Sequence, residues 1–148
     1  MILENRLNIR DVNISKGNFR FAPVAYLEVA IQNIEEMPQK TYDQIIEKYV
    51  EMNVAHPFRE GNGRSSRIWL DLILKKEIRR VVDWSRVDKD DYLLAMERSP
   101  IKDIEIKYLL KEALTTKIDD STIYMKGIDA SYYYEGYTLY QTEYLKDI

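Results

Sequence analysis

His56-Pro57-Phe58-Arg59-Glu60-Gly61-Asn62-Gly63-Arg64-Ser65-Ser66-Arg67 brings a titratable base, a carboxylate, a glycine-flanked amide and spaced guanidiniums into one short run. Gly61-Asn62-Gly63 breaks the chain and the apolar run Ile68-Trp69-Leu70 follows, so the spacing predicts a loop that turns into a helix near Gly63 or Arg64. The first turn of a helix presents unpaired N–H groups and the positive end of its dipole, which together hold phosphate. Arg64 and Arg67 share one helix face, a spacing that clamps polyphosphate. Glu60 offers a carboxylate just before the glycines, and Mg2+ is commonly held by one or two carboxylates with phosphate oxygens and water. His56 is the only histidine in the chain, and an imidazole takes a hydroxyl proton near neutral pH. This is not a Walker loop, because GxxxxGK(S/T) is absent. Each part alone has a plainer use: a core histidine, a Gly-Asn-Gly turn, two arginines on a wet helix face. Their joint order argues for a site.

The string His56-Pro57-Phe58-x-Glu60-Gly61-Asn62-Gly63-Arg64-x-x-Arg67 resembles the full signature of the Fic family (filamentation induced by cAMP), HPFx(D/E)GN(G/K)RxxR, with every defined position matched. The resemblance implies an all-α fold, a helical bundle around a central buried helix with a small β-hairpin flap. It implies transfer of AMP from Mg-ATP to a protein side-chain hydroxyl. It makes His56 the general base and Glu60 the Mg2+ ligand. Asn62 and the amides of Gly61 and Gly63 become an anion hole, and Arg64 and Arg67 hold the outer phosphates. Lys16 and Asn53 are further nucleotide contacts, and Phe58 fixes the loop by packing into the core. Family members with Lys at the position of Gly63 move the terminal phosphate instead, so Gly63 favours AMP transfer.

Upstream, Ser15-Lys16-Gly17-Asn18 is turn-like and Phe19-Arg20-Phe21 alternates apolar and charged, which predicts a hairpin over about 14–22. By resemblance this is the flap, where Asn18, Phe19, Arg20 and Phe21 dock a target by β-strand addition. Pro23 opens a helix with Val24, Leu27, Ile31 and Ile34 on one face, closed by Met37-Pro38. Tyr42, Ile45, Ile46, Tyr49 and Val50 mark a second helix to about Val54, ended by the Pro57 restriction on His56. Ile68 to Leu74 is apolar on nearly all sides, which predicts the buried central helix, with Lys75, Lys76, Arg79 and Arg80 at its negative dipole end. Asp88 to Glu97 reads as a helix with Tyr92, Leu93 and Met96 inward. Ser99-Pro100 reads as N-cap and first helical position of the next, with Ile101, Ile104, Tyr108, Leu109 and Leu114 continuing it. Asp119, Asp120 and Ser121 read as turn or cap residues before a short segment through Met125. Residues 1–13 have no clear period.

In the tail, Asp129 as N-cap and Gly136 past the end predict a two-turn helix over about 128–136. Ser131-Tyr132-Tyr133-Tyr134-Glu135-Gly136 resembles the inhibitory motif (S/T)xxxE(G/N) of the small, single-domain class of Fic proteins with a C-terminal inhibitory helix. The resemblance implies that Glu135 pairs with Arg67, which then no longer holds the γ-phosphate, so that ATP lies misaligned for attack. Two alternatives stand beside autoinhibited AMP transfer. Glu135 positions a water that removes AMP, giving a de-AMPylase or bifunctional enzyme; or the chain is a non-catalytic protein-binding module.

At 148 residues, without cysteine and with net charge −3, the composition fits one soluble domain, 1–148, in a reducing cytoplasm. Neither charge nor hydropathy points to direct nucleic-acid or membrane binding, and Met1-Ile2-Leu3-Glu4-Asn5-Arg6 lacks a signal-peptide core. The expected partner is a Ser, Thr or Tyr hydroxyl of a target protein, by family analogy a DNA gyrase-like subunit. Tail tyrosines are candidates for self-modification, and tail aromatics with the family suggest a homo-oligomer.

Overall fold

The computed structural model describes residues 9–16 and 19–134. The elements run β1 (Ser15–Lys16), β2 (Phe19–Arg20), α1 (Leu27–Glu35), α2 (Tyr42–Ala55), α3 (Asn62–Ile78), β3 (Val81–Val82), α4 (Lys89–Arg98), α5 (Ile104–Lys111), β4 (Leu114–Thr115) and α6 (Ser121–Tyr134). Short 3-10 turns, Val24–Tyr26 and Trp84–Arg86, lead into α1 and α4. The fold is all-α with two minimal antiparallel ladders, β1 with β2 and β3 with β4. The first is the expected hairpin, with Lys16 opposite Phe19. The second, Val82 opposite Leu114, was not foreseen, since each strand is only two residues long.

The core is built on α2 and α3. Ile45, Ile46, Tyr49 and Met52 of α2 and Leu70 and Leu74 of α3 are at most 1% exposed, as are Leu27 and Ile31 of α1. Each such side chain contributes roughly 1.5–3 kcal/mol by leaving water. A capping box fixes the start of α2: Thr41 accepts from the Gln44 amide and the Gln44 side chain accepts from the Thr41 amide. Lys48, although charged, is buried because its ammonium donates to Glu35 O, Met37 O and Gln39 Oε1, closing the end of α1. At the far end of α3, Arg79 takes a left-handed conformation (φ 55°) and stops the helix within the basic run, after Lys75 and Lys76 in its last turn.

Several boundaries correct the sequence reading. α3 begins at Asn62, one or two residues early, because left-handed Gly61 serves as its N-cap. It is not buried all round: Ile68 and Leu72 are 58% and 49% exposed. Ser99 and Pro100 do not open α5. The Ser99 hydroxyl donates to Met96 O and finishes α4, Ile101 is fully solvent-facing, and α5 starts only at Ile104. Ile104 and Tyr108 also face outward, while Ile106 and Leu110 supply the buried side. No separate helix begins at Asp129. A single α6 starts after Asp120, whose carboxylate accepts from the Thr122 amide, and runs through Gly127. A Cβ at Gly127 would sit 3.3 Å from Trp84 Cδ1, so this glycine is the place where α6 approaches the indole.

Candidate active site

His56 sits at the C-cap of α2 in the left-handed region (φ 50°, ψ 64°). Pro57 disfavours the right-handed helical conformation at the preceding residue, which ends the helix and swings the imidazole out of its path. Phe21, just after β2, stacks on the ring at 3.6 Å and 15°. Its Nδ1 is buried without a hydrogen-bond partner. Burial foremost, then the nearby charges of Arg10 and Lys16, push its pKa down to about 4. The Asn53 backbone pulls weakly the other way, although no hydrogen bond of ordinary geometry reaches Nδ1. The imidazole is therefore neutral at pH 7 and able to accept a proton.

The loop that follows is fixed by one amide. Asn62 Oδ1 accepts from Phe58 N at 2.8 Å and Nδ2 donates to Phe58 O at 2.5 Å, a two-bond clasp that closes residues 58–62. Asn62 is 7% exposed, and its side chain is engaged with the loop itself. The sequence reading placed Asn62 in an anion hole; here its side chain instead shapes the turn in which the amides near the start of α3 lie. Gly61 is favoured by its backbone: its φ of 75° suits glycine most readily, and the end of the Arg64 side chain lies over it. Phe58 packs against the core as expected. Gly63 lies in the first turn of α3, its carbonyl accepting from Ser66 Oγ at 3.1 Å. Glu60 is exposed one residue before the N-cap. Among the described residues no three His, Cys, Asp or Glu side chains cluster as a metal site. A single hard carboxylate beside the N–H groups of a helix start fits Mg2+, which takes most of its ligands from phosphate and water.

Arg64 and Arg67 share α3 but occupy different surroundings. Arg64 is half-buried and folds over Gly61. Arg67 is 4% exposed, its guanidinium 5.9 Å from the Trp84 ring and 5.7 Å from the Tyr92 ring, with Nη1 donating to Tyr92 Oη at 3.4 Å. Tyr92 Oη is in turn 2.5 Å from Tyr49 Oη. Trp84 Nε1 donates to Asp71 Oδ2 and Val82 N donates to Asp71 Oδ1, both at 2.9 Å. Burial pushes the Asp71 carboxyl up to about 6 against those two bonds. Arg67 is thus a cation held in an aromatic cage. Tyr92, read as an inward residue of α4, is one wall of that cage.

Of the remaining expected residues, Lys16 is exposed on β1, close enough for its charge to act on His56. Asn53 is half-buried one turn before His56. Arg20 is exposed at the end of β2, and the backbone of Phe19 pairs with Lys16. Asn18 lies outside the described residues, as do Glu135 and Gly136. Ser131 lies within α6. The sequence reading missed Arg10, in a stretch with no period, and Trp84 with Asp71, whose relation depends on the turn after β3. It placed Tyr49 and Tyr92 correctly on inward faces but gave no sign that their hydroxyls meet.

Known proteins resemble this arrangement. The chain is 34% identical over 74 residues to the probable protein adenylyltransferase Fic of Salmonella typhimurium, covering 43% of this chain and 37% of that protein. It is 24% identical over 124 residues to the probable protein adenylyltransferase Fic of Escherichia coli, 76% of this chain and 62% of that one. It is 33% identical over 95 residues to the protein adenylyltransferase VbhT of Bartonella schoenbuchensis, 55% of this chain and 19% of that one. The chain therefore spans less than two thirds of these relatives. A crystal structure of the BepC protein of Bartonella tribocorum, a VirB-translocated effector with bound AMPPNP, shares the fold, with TM-score 0.62 and 17% identity over 72% of this chain and 57% of that one. The Fic/DOC family model matches residues 1–74, half of the chain and all of the 56–67 signature, and on that match, with the signature loop built as described, this chain belongs to the Fic/DOC family.

Proposed function

We propose that this chain is a protein adenylyltransferase that moves AMP from ATP to a side-chain hydroxyl of a protein. The observation that carries the reading is a neutral, half-buried imidazole joined by a clasped loop to the amide-bearing start of α3. The names of the relatives and the AMPPNP bound to BepC support the same substrate. In the proposed step a target hydroxyl attacks the α-phosphorus of ATP and gives its proton to His56. The bond from the α-phosphorus to the bridging β-phosphate oxygen breaks, and pyrophosphate leaves. The first turn of α3, Arg64 and Arg67 orient the phosphates and take up the charge that develops on them. Mg2+, held by Glu60 and the phosphates, supplies charge neutralisation when bound. The flap presents the target backbone beside Phe21 and His56.

We also propose that the resting chain inhibits itself through Glu135, which follows α6. Support comes from the placement of that helix. α6 packs against the Trp84 turn, α3 and α4, the elements that cage Arg67. A carboxylate near its end that paired with Arg67 would withdraw the guanidinium from the γ-phosphate.

The test is label transfer from α-labelled ATP with Mg2+ to lysate proteins by four versions: wild type, His56→Ala, Glu135→Gly and the double variant. The expected result is strong labelling by Glu135→Gly alone, lost by about 10²–10⁴-fold in the double variant. Equal labelling by wild type and Glu135→Gly would remove the inhibitory reading and keep the transferase. Loss of label from an AMP-modified protein, abolished by Glu135→Gly, would instead establish the de-AMPylase.

A further inference from the structure

Arg10 precedes the flap, forty-six residues from His56, and its side chain ends against the backbone of the base. The residue is 3% exposed. Nε donates to His56 O at 2.6 Å and Nη2 to Ala55 O at 2.9 Å, the last carbonyls of α2. Nη2 also donates to Ala22 O at 2.5 Å, where the chain leaves the flap, and Nη1 to Val12 O at 2.8 Å, where it enters. The Arg10 amide donates to Pro57 O at 2.8 Å. Five bonds thus tie the flap root, the end of α2 and the start of the signature loop to one residue. No carboxylate pairs with this buried guanidinium among the described residues; its charge is balanced by carbonyl dipoles at the negative end of a helix. An apolar side chain here would leave these buried carbonyls without donors. One of the donors, Nε, takes the carbonyl of the left-handed residue that carries the base, a conformation costly for a residue with a Cβ.

We propose that Arg10 is a positioning residue for the general base: it holds His56 in its left-handed turn and fixes the flap root against the same point, so that base and docked hydroxyl keep one distance. The proposal rests on the adenylyltransferase reading, which supplies the role of His56. A second consequence is electrostatic. The groups that act on the imidazole are Arg10 behind it, Lys16 on the flap strand, the Asn53 backbone on α2 and the Phe21 ring stacked on it. Burial is the main cause of the lowered pKa; of the two cations that add to it, Arg10 has the larger effect.

The test uses the fact that the chain has a single histidine, so its imidazole NMR signals need no assignment by mutation. His56 is titrated in wild type, Arg10→Lys and Arg10→Met, with circular dichroism and thermal unfolding to verify folding. The expected result is a midpoint raised by about one pH unit or more in Arg10→Met and by less in Arg10→Lys, which keeps the charge and loses the fork. In AMP transfer measured with Glu135→Gly as the active background, kcat should fall about tenfold or more while KM for ATP changes by less than about twofold, in both variants. A folded Arg10→Met with unmoved His56 titration and unchanged kcat overturns the proposal. If no version transfers AMP, the activity reading fails and the titration still decides the placement of Arg10. If the variants do not fold, the wild-type protein decides: the Arg10 Nε–H must be slow to exchange and must shift as His56 titrates. Rapid exchange or an unresponsive signal overturns the proposal.

Discussion

His56 and Arg67 stand eleven residues apart in the sequence, yet the chain builds their surroundings by opposite means. The His56 end is made of backbone. Its parts are a helix C-terminus, a left-handed turn imposed by proline, a loop clasped by Asn62 onto Phe58, and a helix N-terminus. The Arg67 end is made of side chains from distant elements. Trp84 comes from the turn after β3, Tyr92 from α4 and Tyr49 from α2, and Asp71 holds the indole in place. The first kind of site is specified largely by one run of sequence, to which Arg10 and Phe21 add the contacts from outside it. The second depends on the packing of the whole second half of the chain.

The largest test of that contrast is Trp84→Ala. Trp84 is 3% exposed, walls the Arg67 cage, holds an Asp71 oxygen and receives α6 at Gly127. Its truncation should cost about 3–5 kcal/mol from lost packing. Tm should fall by at least several degrees, and the His56 resonance of the protein that remains folded should not move. Trp84→Phe keeps a ring but removes the N–H and part of the indole's volume, so its cost should be that of one unpaired Asp71 oxygen, about 1–3 kcal/mol, plus a small cavity. A shifted His56 resonance in folded Trp84→Phe would break the comparison, because it would mean that the two ends are one unit.

Asn62 gives the reciprocal test with a smaller effect on stability. Asn62→Ala leaves Phe58 N and Phe58 O without the clasp, a loss of about 1–3 kcal/mol moderated by water access to the loop. Asn62→Asp keeps an acceptor for Phe58 N and sets a carboxylate against Phe58 O, so it should be no better than Ala despite its matching shape. Tryptophan fluorescence in a Trp69→Phe background, where Trp84 of the Arg67 cage is the one emitter, should be unchanged in both, while label transfer falls. Equal stability of Asn62→Asp and wild type would show that the clasp is not what closes the loop.

What could be read from the sequence follows the same division. The 56–67 stretch announced both its loop and its chemistry, because proline and glycine act on their own neighbours and the residue types needed for the site lie within one run. The hairpin, α1, α2 and α4 were legible for a similar reason, since turn residues and a periodic apolar face are local signals. Ser99-Pro100 misled because a serine can cap the helix before it as well as the one after, and only the observed bond to Met96 O decides. Asp129 misled because an aspartate suits the inside of a long helix's wet face as well as its start, and α6 runs straight through it. Arg10 and the Tyr49–Tyr92 hydroxyl pair were illegible, since each depends on what the fold brings from more than forty residues away.

The finest test concerns pH, where the two ends pull against each other. His56 titrates at about 4 in the folded chain against an ordinary value of 6.5, so the unfolded chain binds the extra proton between those values. The stability this contributes is present above pH 6.5 and is lost as pH falls through 4. Asp71 is raised to about 6 from 3.8, so here the folded chain binds the extra proton, and the stability is present below pH 3.8 and lost as pH rises through 6. Between about pH 4 and 6 the two slopes oppose each other, and their sum in wild type should be small. Removing one should expose the other. Relative to wild type at each pH, Asp71→Asn should lose stability as pH falls from 6 to 4, and His56→Ala should gain it. Each difference should be on the order of 1–2 kcal/mol across that window, the smaller value for the partly exposed imidazole. Urea midpoints of the three proteins at half-unit pH steps measure both slopes. Parallel curves would mean that neither group is perturbed by the fold. One divergent curve would assign the perturbation to a single end of the site, and the balance between a base kept neutral and a buried carboxylate kept protonated would then belong to that end alone.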